Sequence, residues 1–371
     1  IYFIVADRGK TIFRDHLVIT ILNEKAKGLA YIVERYDPLT EINEFEAIVY
    51  DKEGIEIDKL RKSDIKDESI VTGAALYQDS RIQYADMSQP DYPYTVEFIT
   101  EREIDKYYET PDFNPLFGEN ISVESSSLTL EGPEELIPRF RTFNFDVDPE
   151  ETIIPDGISL RWEVSNLKAV EREPLSEGLR AFVPYVETAP SIFEYDGYAG
   201  DMNSWENFGK WIWKLNEGRG DLPESVILEV RKLTDGLSDR EKAKVVYEYM
   251  QNRTRYVNIS MGIGALQPFE ASVVNSVGYG DCKALSNYTI TLLKAVGLDA
   301  HYVLIWGGSG AEKLDPDFPV HAFNHAIVNI PMEQDTIWLE CTSQTKPFNY
   351  MGINTGDRQA LMITEGGGVI V

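Results

Sequence analysis

The sequence contains few cysteines, which limits how the chain is stabilised. Two cysteines in 371 residues exclude the disulfide framework on which many small secreted domains depend. The one possible bridge would join Cys282 to Cys341. Because that bridge would consume Cys282, the candidate nucleophile described below, we expect both side chains to be free thiols.

Long apolar runs and an excess of positive charge are also missing. No stretch reaches the roughly 18 apolar residues that a transmembrane helix needs, so no membrane span is predicted. The formal net charge is −27, and a phosphate backbone or an anionic lipid surface would be repelled by such a chain. Nucleic acid is therefore not an expected partner.

The length and the hydrophobic pattern predict two domains with an α+β fold. A chain of 371 residues exceeds one ordinary core. Residues 1–195 contain short runs with alternating apolar positions, including a hairpin turn at Asp51 to Gly54, and this pattern is typical of an all-β sandwich. Residues 196–371 change to a helical period and then return to strands, which predicts an α+β domain with an antiparallel sheet packed on helices.

Local signals place three helices before the cysteine-containing helix. The first covers SWENFGKWIWKL, with an apolar face that includes Trp205 and Phe208. The second begins near Pro223, and the third begins after Ser238, which forms a capping box with Glu241. The segment YVNISMGIGALQPFEASVVNSV is predicted to be an extended connection.

Cys282 lies at the start of the next predicted helix. Asp281 is the expected N-cap, and Gly297 is the expected residue after the C-cap. Unpaired N–H groups and the positive end of the helix dipole favour a thiolate at such a position, and the thiolate is the nucleophilic form. Cys282 is therefore either a reactive nucleophile or a small buried apolar residue.

A predicted hairpin downstream supports the nucleophile interpretation. In VHAFNHAIVNIPMEQDTIWLECTSQTKPF, a loop at 331–334 pairs Ile330 with Asp335 and places His325 opposite Glu340. A glutamate there can hold one imidazole nitrogen and leave the other free. Cysteine as nucleophile, histidine as base and a carboxylate that fixes the histidine tautomer form an acyl-transfer triad.

His321 and His16 are the two other histidines with a possible role. His321 is a second candidate base, but it lies towards the loop and does not pair with Glu340. A zinc site built from His321, His325, Cys282 and Glu340 is disfavoured, because four residues of strand separate the two histidines by roughly 13 Å. We expect neither a metal nor another cofactor. His16 is interpreted as a strand or turn residue.

Further residues are candidates for supporting roles around Cys282. The oxyanion donors are expected to be the Cys282 N–H and a side chain from the preceding segment, for which Gln267 is the candidate; its alternative is an exposed polar residue. Trp306 and Tyr279 either line the cleft or pack in the core. Asp281 and Lys283 are interpreted as cap and surface residues. The loop GGSGAEKLDPDFPV is either a lid or an ordinary connection.

The segments YGDCK, FNHAIV and IWLECTS, in this order, resemble the transglutaminase-like superfamily, whose members are related to papain-like peptidases. The run RYVNISMGIGALQPFEASVVNSVGYGDCK resembles bacterial members fused to an N-terminal DUF3857-type domain. The resemblance implies that Cys282 is the nucleophile, His325 the base and Glu340 the orienting carboxylate. This chain departs from the pattern at Glu340, where aspartate is commoner, and at Ala284, where an acidic residue is common.

The residues and the resemblance together predict a cysteine-dependent acyl-transfer enzyme that acts on peptide or protein amide bonds through a thioester. The alternative is a non-catalytic binding or scaffold protein that retains the domain. The resemblance also implies a bacterial exported protein in the periplasm or at the cell surface. The chain begins at Ile1 without methionine, so we expect that a signal peptide is missing from this sequence.

Overall fold

The fold is described from a computed structural model. It describes residues 1–70, 75–144, 148–171, 173 and 178–371, with the backbone alone for 75–78. These residues form two compact units. One comprises Ile1–Ile70 and Asp79–Ala199, and the other comprises Gly200–Val371 together with the strand at 75–78. Helices and strands are both abundant, which confirms the predicted α+β class.

The first seventeen strands alternate with turns in the manner that the sequence pattern predicts. In chain order their bounds are β1 (Tyr2–Asp7), β2 (Lys10–Ile21), β3 (Tyr31–Tyr36), β4 (Thr40–Tyr50), β5 (Glu56–Lys59), β6 (Lys66–Ser69), β7 (Ala75–Gln78), β8 (Arg81–Asp86), β9 (Tyr94–Ile104), β10 (Lys106–Tyr107), β11 (Val123–Gly132), β12 (Arg139–Phe143), β13 (Glu150–Ile154), β14 (Gly157–Leu167), β15 (Tyr185–Ala189), β16 (Ile192–Tyr195) and β17 (Tyr198–Asp201).

An eight-stranded sheet in the order β13-β14-β11-β1-β2-β9-β4-β5 organises the first unit. The predicted hairpin between β4 and β5 is confirmed: Gly54, with φ +80°, donates its N–H to the Asp51 carbonyl at 3.0 Å. Smaller sheets, among them β3-β8-β6, β10-β16 and β12-β15, share two hydrophobic clusters with the large sheet. Most strands of the large sheet therefore have one buried face.

The described residues of the second unit form six helices and, besides β7, eight strands. Their bounds are α1 (Trp205–Asn216), α2 (Glu224–Leu233), α3 (Asp239–Arg253), β18 (Arg255–Tyr256), β19 (Asn258–Ser260), α4 (Ala271–Val277), β20 (Tyr279–Gly280), α5 (Cys282–Ala295), β21 (His301–Ile305), β22 (His325–Pro331), β23 (Thr336–Leu339), α6 (Gly352–Thr355), β24 (Ala360–Thr364) and β25 (Gly367–Ile370). In the described part of the chain, no helix combines the length and the apolarity that crossing a bilayer requires.

An antiparallel sheet in the order β23-β22-β21-β24-β25 forms the body of this unit. Helix α5 packs on β22, and α1 packs on β24 and β25. Strand β7 comes from the first half of the chain but pairs in parallel with β19. The second unit is thus not one continuous stretch of sequence, whereas the division predicted near residue 195 treated it as one.

The helix ends follow the local signals in the sequence. Asp281 caps α5, because its side chain accepts the N–H of Ala284 at 2.9 Å, and Gly297 follows the helix with φ +82°. The N–H of Ser238 donates to Glu241 at 2.9 Å and forms the predicted capping box of α3. The extended connection predicted before Cys282 was wrong in its last part, since residues 271–277 form α4. Its apolar residues, Ala271 and Val274, are buried at a helical spacing.

Helix α1 and strand β25 meet backbone to backbone at a pair of glycines. A Cβ atom on Gly209 would lie 1.9 Å from the nitrogen of Gly368, and one on Gly368 would lie 2.4 Å from the carbonyl oxygen of Trp205. Real Cβ atoms do not approach so closely, so the helix can pack at this distance only if both residues are glycine.

We predict that Gly209→Ala lowers the free energy of unfolding by about 1–3 kcal/mol, because the added methyl group forces the helix away from the sheet. Gly264→Ala is the matched control, since a Cβ atom there meets nothing within 4 Å. Urea denaturation monitored by tryptophan fluorescence measures both variants. Equal small effects would contradict the close approach.

Candidate functional site

Cys282 occupies the first position of α5, as predicted. It is 9% exposed and is a free thiol. The preceding segment is held by β18 and β20, in which Tyr256 pairs with Gly280 and the N–H of Val257 donates to the Gly280 carbonyl at 2.9 Å. The start of the helix is therefore fixed on both sides of the cysteine, by a strand pair before it and by the Asp281 cap.

The hairpin that carries His325 has a different register from the predicted one. Ile330 pairs with Ile337, whereas the prediction paired it with Asp335. Pro331 remains in the strand at its last position, and the N–H of Met332 closes the turn on the Asp335 carbonyl at 2.9 Å. The prediction was wrong because it placed Pro331 in the loop. A two-residue shift preserves the alternation of faces, so His325 and Glu340 still share a face.

His325 and Glu340 meet as diagonal neighbours. Diagonal pairs are about 7–8 Å apart, which is within the reach of long side chains, and the extra methylene of glutamate helps to span that distance. The Nε2 atom of His325 lies 2.9 Å from Oε2 and 3.1 Å from Oε1 of Glu340. Thr342 supports the carboxylate, because its hydroxyl donates to Oε1 at 2.7 Å and its N–H does so at 3.2 Å.

The pKa values of His325 and Glu340 depend on each other. Burial lowers the pKa of His325, but hydrogen bonds to Cys282 and Glu340 and the negative charges of both raise it to about 10. Burial raises the pKa of Glu340, but the hydrogen bond to His325, its positive charge and the bonds from Thr342 lower it to about 2. Glu340 is thus an ionised acceptor, so Nε2 of His325 carries a hydrogen and Nδ1 remains for the sulfur of Cys282.

Two tyrosines near Cys282 were missed by the sequence reasoning. Burial and the negative charges of Cys282, Asp281 and Glu340 raise the pKa of Tyr256 to about 12. Burial and the charges of Cys282 and Asp281 raise the pKa of Tyr302 well above its usual value, and its hydroxyl has no hydrogen-bond partner among the described residues. The only available signal for Tyr256 was its place in the segment RYVNIS.

Gln267 is engaged in structural contacts. Its Nε2 donates to the Leu215 carbonyl at 2.9 Å, and its Oε1 accepts from Nη2 of Arg219 at 2.8 Å. Arg219 in turn offers its carbonyl to the side chain of Asn287 on α5 at 2.8 Å. Gln267 therefore ties the segment before α4 to the helical part of the unit, and its oxyanion role stays a prediction.

Lys283 is buried, although it was predicted to lie on the surface. It is 8% exposed, and its Nζ lies 2.6 Å from Oδ2 of Asp281. The other carboxylate oxygen of Asp281 caps the helix. The surface prediction failed because helix α5 is buried around its first turns, so Lys283 points into the protein.

Cys341 is buried, as predicted. It is 0% exposed, and burial raises its pKa to about 12. The thiol is therefore protonated at neutral pH and shielded from reagents. The two cysteines of the chain consequently lie in different environments, although both are free thiols.

The remaining sequence candidates are His321, Trp306, Tyr279 and the loop before the hairpin. His321 is exposed and precedes β22. Trp306 and Tyr279 are half-buried, and the indole N–H of Trp306 donates to the Ser309 carbonyl at 2.8 Å. The loop that follows is anchored at Asp315, whose carbonyl accepts the indole N–H of Trp205 at 2.7 Å. Within the described ranges, no three His, Cys, Asp or Glu residues are grouped for a metal ion.

Comparisons with known proteins support the fold. Residues 7–171 match the family model described as "Domain of Unknown Function with solved-structure structure (DUF3857)", the domain type that the resemblance implies for the N-terminal part of the chain. A crystal structure of a putative protease from Parabacteroides distasonis aligns with 99% of this chain and 69% of its own, with a TM-score of 0.72 and 16% identity. The two chains therefore share a fold.

A second solved structure and the curated proteins give no further support for the fold. A structure of a putative cysteine protease from Cytophaga hutchinsonii covers 90% of this chain and 76% of its own at 11% identity, but its TM-score of 0.26 carries no argument about the fold. No curated protein matches the sequence.

The contact between His325 and Glu340 predicts a pH dependence of stability. The raised pKa of His325 contributes stability that is present below about 6.5 and is lost as pH rises towards 10. The lowered pKa of Glu340 contributes stability that is present above about 4.5 and is lost as pH falls towards 2. Removing the carboxylate charge should weaken both dependences.

We therefore predict that Glu340→Gln loses less stability than the wild type between pH 6.5 and 10. Urea denaturation followed by tryptophan fluorescence is suitable, because five of the six tryptophans lie in the second unit. Glu333→Gln, in the exposed turn of the same hairpin, is the matched control and should follow the wild type. If the free energy of unfolding changed equally with pH in all three proteins, the assignment of charge to His325 and Glu340 would be contradicted.

Proposed function

We propose that the chain is a cysteine-dependent acyl-transfer enzyme that cleaves amide bonds of peptides or proteins. The observation that carries the proposal is the position of His325, whose Nε2 bonds to Glu340 and whose pKa is raised by hydrogen bonds to Cys282 and Glu340. Nucleophile, base and orienting carboxylate in this order are the parts that acyl transfer through a thioester needs.

The charges support a defined sequence of steps. Cys282 as a thiolate attacks the amide carbonyl, and the imidazolium of His325 gives its proton to the leaving amine. The neutral ring then takes a proton from water, which attacks the thioester and releases the acid. Glu340 keeps the ring in one orientation and stabilises its charged form. An amine in place of water would give transamidation, and we propose hydrolysis as the main outcome.

Two groups are available to stabilise the oxyanion. The N–H of Cys282 lies in the first turn of α5, where backbone N–H groups have no partner within the helix. The Tyr256 hydroxyl lies near the charges of Cys282 and Glu340, on a strand that pairs with the residue two before the nucleophile. We therefore propose Tyr256 as the side-chain donor in place of Gln267, whose amide already bonds to Leu215 and Arg219.

A non-catalytic scaffold is the competing function. Burying the ionised pair of His325 and Glu340 beside the sulfur of Cys282 costs desolvation energy that well-packed apolar residues would avoid. A protein that only bound partners through other surfaces would have no need for this arrangement. The buried charges therefore favour catalysis. Location in the periplasm or at the cell surface stays a prediction from the resemblance.

We predict that Cys282→Ala abolishes turnover while the protein remains folded. Casein is a suitable probe, with new amino termini measured for hydrolysis and incorporation of a fluorescent primary amine measured for transamidation. Cys341→Ala is the matched control, and because the thiol of Cys341 is buried and protonated, it should retain activity. Turnover by a folded Cys282→Ala protein would refute the proposal.

We predict that Tyr256→Phe lowers kcat by about 10²-fold, with KM changed little, because one oxyanion donor typically contributes this much to the transition state. The change removes one oxygen and leaves the ring in place. Tyr279→Phe, on the strand that pairs with β18, is the control and should retain the wild-type kcat. If both variants kept the wild-type kcat, Tyr256 would have no oxyanion role.

A further inference from the structure

The guanidinium of Arg358 binds the backbone of the second unit. Its four hydrogen bonds to described residues all go to carbonyl oxygens. Nη1 donates to Trp306 and to Gly308 at 2.7 Å each, Nη2 donates to Ile353 at 2.9 Å, and Nε donates to Gly356 at 3.2 Å. One guanidinium thus joins the segment after β21 to the segment before β24.

Asn324 holds the same segment from the other side. Its Oδ1 accepts the N–H of Gly307 at 2.5 Å, and its Nδ2 donates to the Gly307 carbonyl at 3.0 Å. The N–H of Gly308 donates to the Asn354 carbonyl at 2.9 Å. Residues 306–308 follow the end of β21, where the sheet ladder no longer satisfies the backbone, so these side-chain bonds fix a piece of chain that would otherwise be mobile.

The fixed segment lies against the imidazole of His325. Ile305, the last residue of β21, pairs directly with His325. A Cβ atom on Gly307 would lie 3.3 Å from Cβ and 3.6 Å from Cγ of His325, so Gly307 lies beside the side chain of His325 with no room for a further group between them. Any movement of residues 306–308 therefore changes the space that the ring can occupy.

We propose that Arg358 is a positioning residue for His325: it holds the Trp306–Gly308 backbone as a wall that keeps the imidazole between Cys282 and Glu340. The inference rests on the proposed function, since it gives Arg358 a role in the same reaction. Arginine suits the role because its planar fork reaches several carbonyls at fixed angles, whereas the ammonium of lysine is a point donor on a flexible stem. Arg358 touches neither substrate nor reacting atoms in this account.

The test uses Arg358→Ala and Arg358→Lys in the full chain, with two readouts. The first is the rate at which iodoacetamide alkylates Cys282 at pH 7, which requires no substrate and reports on the pairing of the sulfur with His325. The second is kcat and KM on casein. Both variants should lower the alkylation rate and kcat by about tenfold or more, as expected for a base displaced by a fraction of an ångström to 1 Å, with KM unchanged.

Arg231→Ala is the matched control, because Arg231 also donates to a backbone carbonyl, that of Ala295 at 2.8 Å, but lies at the opposite end of α5 from Cys282. It should keep the wild-type rates. Millimolar guanidinium ion should partly restore alkylation in Arg358→Ala and have no effect on Arg231→Ala. A wild-type alkylation rate in folded Arg358→Ala, or an equal loss in Arg231→Ala, would overturn the proposal.

Asn324→Ala keeps the proposal falsifiable if Arg358→Ala fails to fold, because it releases Gly307 from the other side and removes only two hydrogen bonds. This variant should also lower the alkylation rate. A wild-type rate would contradict the proposal that the Trp306–Gly308 backbone positions the ring. If Cys282→Ala retained turnover, the proposed function would fail, but the alkylation rates would still decide whether Arg358 positions the ring.

Discussion

The buried contact between the His325 ring and the Glu340 carboxylate is the interaction on which the site depends. The hairpin brings the two side chains together, and Cys282, at the start of helix α5, raises the pKa of the ring through a hydrogen bond and its charge. Without the carboxylate, only Cys282 would offset the burial that lowers the pKa of the ring, and the ring would lose the bonds that orient it. Thr342, two residues after Glu340 in the chain, donates two hydrogen bonds to one oxygen of the carboxylate. The parts of the site thus constrain one another.

Much of the local structure could be predicted because its signals are local. The Asp281 cap, the Ser238 capping box and the apolar face of α1 each depend on residues within one or two turns. The hairpin register was wrong by two residues because the position of the four-residue loop depended on whether Pro331 belongs to the strand. The face of Glu340 was nevertheless right, since a shift of two keeps the alternation.

The rest of the site is formed by contacts between distant segments, which spacing rules do not reveal. Tyr256 approaches Cys282 because β18 pairs with β20. Arg358 reaches Trp306 and Gly308 across about fifty positions of sequence. Lys283 was expected on the surface because lysine is rarely buried, and only the packing of α5 reveals its ion pair with Asp281. Charged side chains that are buried in this way concentrate at functional sites.

The coupling of His325 to Cys282 and Glu340 is tested most directly by titrating the ring of His325 by nuclear magnetic resonance in the wild type and in Cys282→Ala. The chain has four histidines, so the signal can be assigned by substitution. In the wild type the ring should stay protonated through neutral pH and titrate near pH 10, and loss of the sulfur charge should lower the midpoint. A midpoint near 6.5 in both proteins would mean that the thiol, the imidazole and the carboxylate do not act together.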